Sequence, residues 1–375
     1  MGDIRRRSPD SDCRLMHMPT LIVLAAIPLA AIAGFATQRG GICAVAAAKE
    51  AFALGRWTHF LTFLECAAWA LLFLLAADQL GLATLPENGP ATFHLTTLAG
   101  AALFGVGAVT NNACAFGTIS RIGAGETAFL ATIPGILCGA AIAPGAADGP
   151  SWTATAFAAT EPWASFLGAA VLVFAAVRMW SARTSLLRPR LILRTIRAPS
   201  WPTSLAMAMI AAVNTTLQLF VVNWPYTTLL ADLGQGSEPV QLGLRAALGA
   251  ALIAGAVAGG RVSGRLKLRK PPLRQMARCF VGGGLMGVGA ALIPGGNDAM
   301  VLRELPLATV HGAAAYAIFV FSVFMSLAAV SRAQMVKCQR PAPSQRMDEC
   351  GPTSPRLPAG GRRSETADPA PPAAD

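Results

Sequence analysis

Long unbroken apolar runs constrain this chain more than any other feature. Nine stretches, near 19–36, 59–80, 94–110, 126–143, 160–180, 201–222, 240–260, 279–294 and 307–331, are predominantly apolar. Most approach the ~17–25 residues that a helix needs to cross a bilayer. The runs are continuous rather than alternating, which selects helices over the strands of a membrane barrel. Only 13% of the 375 residues are charged, about half the share of an ordinary soluble domain. A surface of this composition belongs in lipid. The expected fold is an all-α polytopic membrane protein with about nine transmembrane helices.

The formal net charge of +11 would suit nucleic acid, but its placement argues otherwise. Basic residues gather between apolar runs and in the tails, as cytoplasmic loops do. Arg178–Arg197 holds six arginines, and Arg261–Arg278 holds seven basic residues. Both loops are assigned to the cytoplasm, and the segments 81–93, 144–159 and 223–239, which lack Lys and Arg, to the outside. The partner is the lipid bilayer and not nucleic acid. The chain then divides into a disordered tail (1–18), a membrane domain (19–331) and a disordered cytoplasmic tail (332–375). The membrane domain has halves at 19–180 and 201–331, joined by a basic cytoplasmic linker at 181–200.

The halves carry a repeated pattern. Gly105–Arg121 and Gly287–Arg303 superpose without a gap at an offset of 182, with glycine, valine, glycine, alanine and the final arginine matched. Each passage breaks an apolar helix with small polar residues. Irregular backbone survives at membrane depth only if buried in protein or lining a cavity. Two broken helices at corresponding positions point to a substrate site at the interface of the repeats. They fall in the third and eighth runs, five crossings apart, so the repeats are expected to be inverted. The first break would open toward the cytoplasm and the second toward the outside.

Three segments supply the chemistry. In Thr37–Cys43, paired glycines free the backbone, and N–H groups at a helix start attract anions; an ordinary turn with an incidental cysteine reads equally well. In Asn111–Gly117, Asn111 and Asn112 must find partners, and Cys114 offers a soft sulfur with a weak S–H donor. In Ile293–Asp298, Gly295 and Gly296 can turn N–H groups into a cavity beside Asn297, while Asp298 is assigned as a cap of the next half-helix. Arg121 and Arg303 either attract an anion or anchor helix ends. Glu65, inside the second run, is expected to pair with Arg39, Lys49, Arg56 or Arg121. The eight cysteines do not form a disulfide framework, since several lie in apolar runs. No P-loop or nucleophile elbow is present. No cofactor, metal ligand set or catalytic residue is assigned, and the chain is not read as an enzyme.

At these residues the chain resembles the YeeE/YedE sulfur-transport family, which includes bacterial thiosulfate transporters. The resemblance rests on Gln38–Cys43 with Lys49-Glu50 after it, on Asn111–Gly117, and on Gly282–Gly287 running into Pro294–Asp298. It implies a multi-pass permease of the bacterial inner membrane, hourglass-shaped, in which thiols pass thiosulfate along by S–H hydrogen bonds without covalent chemistry. Carried over by motif, Cys43 and Cys114 are the pathway cysteines. Gly296 stands opposite Cys114, where a thiosulfate-transporting member is expected to carry a third cysteine. The expected function is transport of a small sulfur-containing inorganic anion, thiosulfate first. The alternatives are delivery of sulfur or selenium to a cytosolic sulfurtransferase, or transport of an unrelated small solute. The substrate pathway is assigned to Cys43, Cys114, Asn111, Asn112, Gly295, Gly296, Asn297 and Arg121.

Overall fold

The computed structural model describes residues 20–82, 91–143, 151–154, 173–174, 177, 195, 197–221, 224–236, 241–293, 295–307 and 310–339. The first half runs α1 (Thr20–Gly40), α2 (Ala44–Leu54), α3 (Thr58–Gln79), α4 (Leu95–Asn111) and α5 (Ala115–Gly123), then a 3-10 turn (Thr127–Ala131) and α6 (Thr132–Ala141). The second runs α7 (Thr203–Gln218), α8 (Tyr226–Gly234), α9 (Leu242–Val262), α10 (Leu273–Leu292) and α11 (Asn297–Ala299), then a π-turn (Met300–Glu304) and α12 (Val310–Gln339). The all-helical expectation needs one addition. A short antiparallel ribbon pairs β1 (Ala91–His94) with β2 (Ser151–Ala154), Ala91 opposite Ala154.

Among the described residues, five helical segments are long and apolar enough to cross a membrane, or six if α10 and α11 with its π-turn count as one span bent by 51°. That is fewer than the nine expected. α7, with 16 residues, and the 3-10 turn with α6 are shorter. The run 160–180, the tail 1–18 and Pro294 lie outside the described residues or nearly so. At the far end α12 continues to Gln339, past residue 331, where the sequence places the end of the membrane domain.

Lipid tails are as apolar as leucine, so helices in a bilayer associate through close packing that small residues permit. α4 packs antiparallel to α10: Gly100 faces Leu292 and Gly289, Gly107 faces Met286 and Gly282, and Gly282 faces Asn111. α1 runs parallel to α9, where a Cβ on Gly34 would sit 1.8 Å from the Leu252 carbonyl oxygen and one on Gly255 1.9 Å from that of Ala31. α3 and α7 make the corresponding parallel pair, tied by the Cys66 thiol donating to the Met207 carbonyl at 3.5 Å and the Thr215 hydroxyl to that of Ala70 at 3.5 Å. Large side chains fill the spaces these pairs leave, with Phe63, Phe104, Phe129 and Phe319 fully buried. The long helices thereby hold four short ones in the interior.

Candidate functional site

Four short helices begin beside one another in the core. The residues preceding them are Cys43 (α2), Cys114 (α5), Pro225 (α8) and Gly296 (α11), and all four are buried. The Ala44 N–H points at the Cys114 sulfur at 3.1 Å. The Ala115 N–H donates to Asn297 Oδ1 at 3.1 Å, and the Gly296 N–H to Thr227 Oγ1 at 3.1 Å. The Tyr226 hydroxyl donates to the Ala115 carbonyl at 2.9 Å. A helix start carries N–H groups without intrahelical partners and the positive end of the dipole. Their convergence makes a place for negative charge.

The breaks that create this point follow from local residue choice. Gly41 and Asn112 adopt left-handed backbone, with φ of 60° and 65°, and Gly295 has φ of 129°. Glycine reaches such angles freely and asparagine at little cost. Cys43 and Cys114 then have extended backbone, so each chain re-enters a helix immediately afterward. Their thiols are buried and both free. Gly117 makes room for Cys43: a Cβ at Gly117 would lie 2.4 Å from the Cys43 sulfur.

The second half answers with oxygen. Asp298, 4% exposed, accepts the Thr227 hydroxyl at 2.5 Å. The sequence assigns it as the cap of the half-helix; it lies instead in the first turn of α11, whose cap position is Gly296, and ties that turn to the start of α8. Two cavities adjoin the convergence. One of about 80 Å³ reaches Cys43 and is lined by Gly41, Glu50, His59, Phe63 and Thr203, with His59 Nδ1 and Glu50 Oε2 2.5 Å apart. A smaller one of about 20 Å³ lies against Thr37, Phe116, Trp224, Tyr226 and Asp298.

Of the assigned pathway residues, Cys43, Cys114, Gly295, Gly296 and Asn297 come together here. Asn111 is buried beneath them, with its bonds made inside the protein. Its Nδ2 donates to the Ala113 carbonyl at 2.9 Å and Thr118 Oγ1 at 3.1 Å, and its Oδ1 accepts from Thr132 Oγ1 at 2.9 Å. Asn112 turns away and accepts from Lys49 Nζ. Arg121 lies at the far end of α5, where it grips both oxygens of Glu126 at 3.0 and 3.2 Å and covers the Phe129 ring at 5.1 Å. Arg303 is 3.7 Å from Glu304. Glu65 accepts the Ser204 hydroxyl at 2.7 Å.

The segment Pro225-Tyr226-Thr227 was not singled out from the sequence. The signal was available: residue 225 is residue 43 plus the same offset of 182. Extending the repeat backward from the two glycine-rich passages would have reached it. A family model described as sulphur transport matches residues 39–325 of this chain, spanning both thiols and all four helix starts. No curated protein matches it.

Proposed function

The chain belongs to the sulphur transport family, also called YeeE/YedE, and on that premise we propose that it carries thiosulfate, a small sulfur-containing anion, across the bacterial inner membrane. The observation that carries this reading is the pair of buried thiols, Cys43 and Cys114, where four short helices begin, with the Ala44 N–H that follows Cys43 directed at the Cys114 sulfur. An anion shedding its water there would meet backbone N–H groups and S–H donors. Such donors replace hydration without holding the ion too tightly to leave, as conduction requires. A polarizable sulfur suits the terminal sulfur of thiosulfate. In the second half, the Gly296 N–H is taken by Thr227 and the Thr227 hydroxyl by Asp298, so a mobile anion is favoured on the first-half thiols. No covalent step is needed.

The same reading takes α1–α6 and α7–α12 as inverted repeats. Ala44 and Tyr226, like Ala115 and Asn297, begin matched helices 182 residues apart. The pairing of α1 with α9 has its counterpart in α7 with α3. The matched helices α4 and α10 run antiparallel, and an odd number of crossings between them gives that orientation. The reading counts the apolar run 160–180 of the sequence, which lies almost wholly outside the described residues, as one of nine crossings.

The experiment is uptake of radiolabelled thiosulfate by proteoliposomes holding wild type, Cys43→Ala or Cys114→Ala. Both variants should lose at least about tenfold in rate, the scale of one lost hydrogen bond to an ion. Undiminished rates in both would remove the thiols from the pathway, and absence of uptake by wild type would remove thiosulfate. Persulfide on either cysteine during turnover would point instead to sulfur delivery.

A further inference from the structure

Two buried donors have no hydrogen-bond partner among the described residues. Asn297 is fully buried. Its Oδ1 takes the Ala115 N–H, and its Nδ2 has no hydrogen-bond partner. Tyr316 on α12 is 6% exposed, and its hydroxyl likewise has no partner. Buried polar groups of native proteins are nearly always paired, and exceptions call for an explanation such as a missing ligand. Asn297 is bonded to the residue that follows Cys114, and a path of ring contacts leads from Tyr316 to the glycine that precedes Asn297. The Tyr316 ring packs against Phe319 at 6.0 Å, and Phe319 against Phe104 at 5.8 Å. Phe104 in turn closes on Gly296, with a ring carbon 3.0 Å from where a Cβ would stand.

We propose that Asn297 Nδ2 and the Tyr316 hydroxyl bind the oxygen atoms of the transported anion beside Cys114, supplying the donors that Gly296 does not. This rests on the reading of the protein as a sulfur-anion permease and adds a direction to it. Thiosulfate has a sulfonate-like end with three oxygens and a terminal sulfur. N–H and O–H donors prefer the oxygens, while the thiols of Cys43 and Cys114 take the softer sulfur. The anion is thereby oriented as well as held. Sulfite, which has the oxygens and lacks the terminal sulfur, would depend on Asn297 and Tyr316 and much less on the cysteines.

The test uses the full chain in detergent and in proteoliposomes, with labelled thiosulfate and sulfite as probes. Tyr316→Phe keeps the ring and its contacts and deletes only the hydroxyl. Asn297→Asp keeps the oxygen that accepts from Ala115 and replaces the donor with a charge that repels the anion. Tyr316→Phe should raise KM for both anions about tenfold, with the maximal rate nearly unchanged. Asn297→Asp should abolish binding of both. Without anion, Tyr316→Phe should melt at or above the wild-type temperature, because an unpaired buried hydroxyl has gone, yet gain less on adding thiosulfate. A hydroxyl with a purely structural role would lower the melting temperature and leave KM alone, and that result overturns the inference. Should Asn297→Asp not fold, Tyr316→Phe decides. Should wild type carry sulfite but not thiosulfate, the substrate reading fails while the donor assignment is still judged by sulfite. Wild-type affinity for both anions in both variants sinks it outright.

Discussion

Cys43 and Cys114 owe their place to neighbours that give way. Gly117 has no side chain where the Cys43 sulfur lies, so Gly117→Ala would bring a methyl carbon within 2.4 Å of that sulfur and 3.0 Å of its Cβ. Thiol and helix would have to move apart. Such overpacking costs about 1–3 kcal/mol, which a folded protein can survive, whereas the thiol is displaced from its place at the helix starts. Gly117→Ala is expected to leave a monodisperse protein in detergent and to lower thiosulfate uptake at least about tenfold. A second residue-scale prediction concerns the Arg245–Asp232 ion pair at 2.9 Å, with the arginine side chain 3% exposed. Asp232→Asn leaves a buried guanidinium without its carboxylate, a change that typically costs ~3–5 kcal/mol. The melting temperature should fall sharply, and Arg245→Met combined with Asp232→Leu should recover most of the loss, since removing both charges removes the penalty. A double variant as unstable as the single one would show that the pair does more than satisfy itself.

At the scale of elements, glycines and alanines decide which helices can touch. The α1–α9 contact depends on backbones approaching so closely that a Cβ at Gly34 or Gly255 would overlap a carbonyl oxygen of the other helix. Gly249 lies on the same helix as Gly255, yet a Cβ there would meet only Tyr226 Cβ at 3.9 Å, an ordinary contact. Gly34→Val and Gly255→Val should therefore aggregate or fail to yield a single chromatographic peak, and Gly249→Ala should behave as wild type or better, since alanine favours the helix. Equal behaviour of Gly255→Val and Gly249→Ala would mean that α1 and α9 are not in this contact. The glycine content of these runs was legible in the sequence, but the partner of each glycine was not. Periodicity marks which face is small, while the contact depends on which other small face comes to lie opposite.

For the whole molecule, the inverted arrangement makes a claim about sides. Gly81, after α3, and Gly264, after α9, occupy matched turns of left-handed backbone with open space around them. Inversion and the basic loop at 261–278 place Gly81 outside and Gly264 in the cytoplasm. In a background with Cys138→Ser, since Cys138 is exposed, and with the tail cysteines Cys13, Cys338 and Cys350 also changed to serine, Gly81→Cys should react with a membrane-impermeant maleimide on intact cells. Gly264→Cys should react only after permeabilisation. Labelling of both from one side would rule out inverted repeats.

The sequence by itself determined that this chain lives in a bilayer as helices, that its glycine-rich motif occurs twice, and that two cysteines sit at helix breaks. Those properties are local, or repeat at a fixed spacing, so composition and offset reveal them. The sequence also named Cys43, Cys114, Gly296 and Asn297. Only the tertiary structure separated them from Asn111, whose polar atoms are satisfied within its own neighbourhood, and from Arg121, which is occupied by Glu126. It alone set Tyr226 against the Ala115 carbonyl and Thr227 against Asp298, and left Asn297 Nδ2 and the Tyr316 hydroxyl unpaired among the described residues. Whether a polar group is free to meet a ligand depends on every neighbour that could satisfy it first. Those neighbours come from up to 220 residues away, a distance over which sequence pattern carries no record of contact.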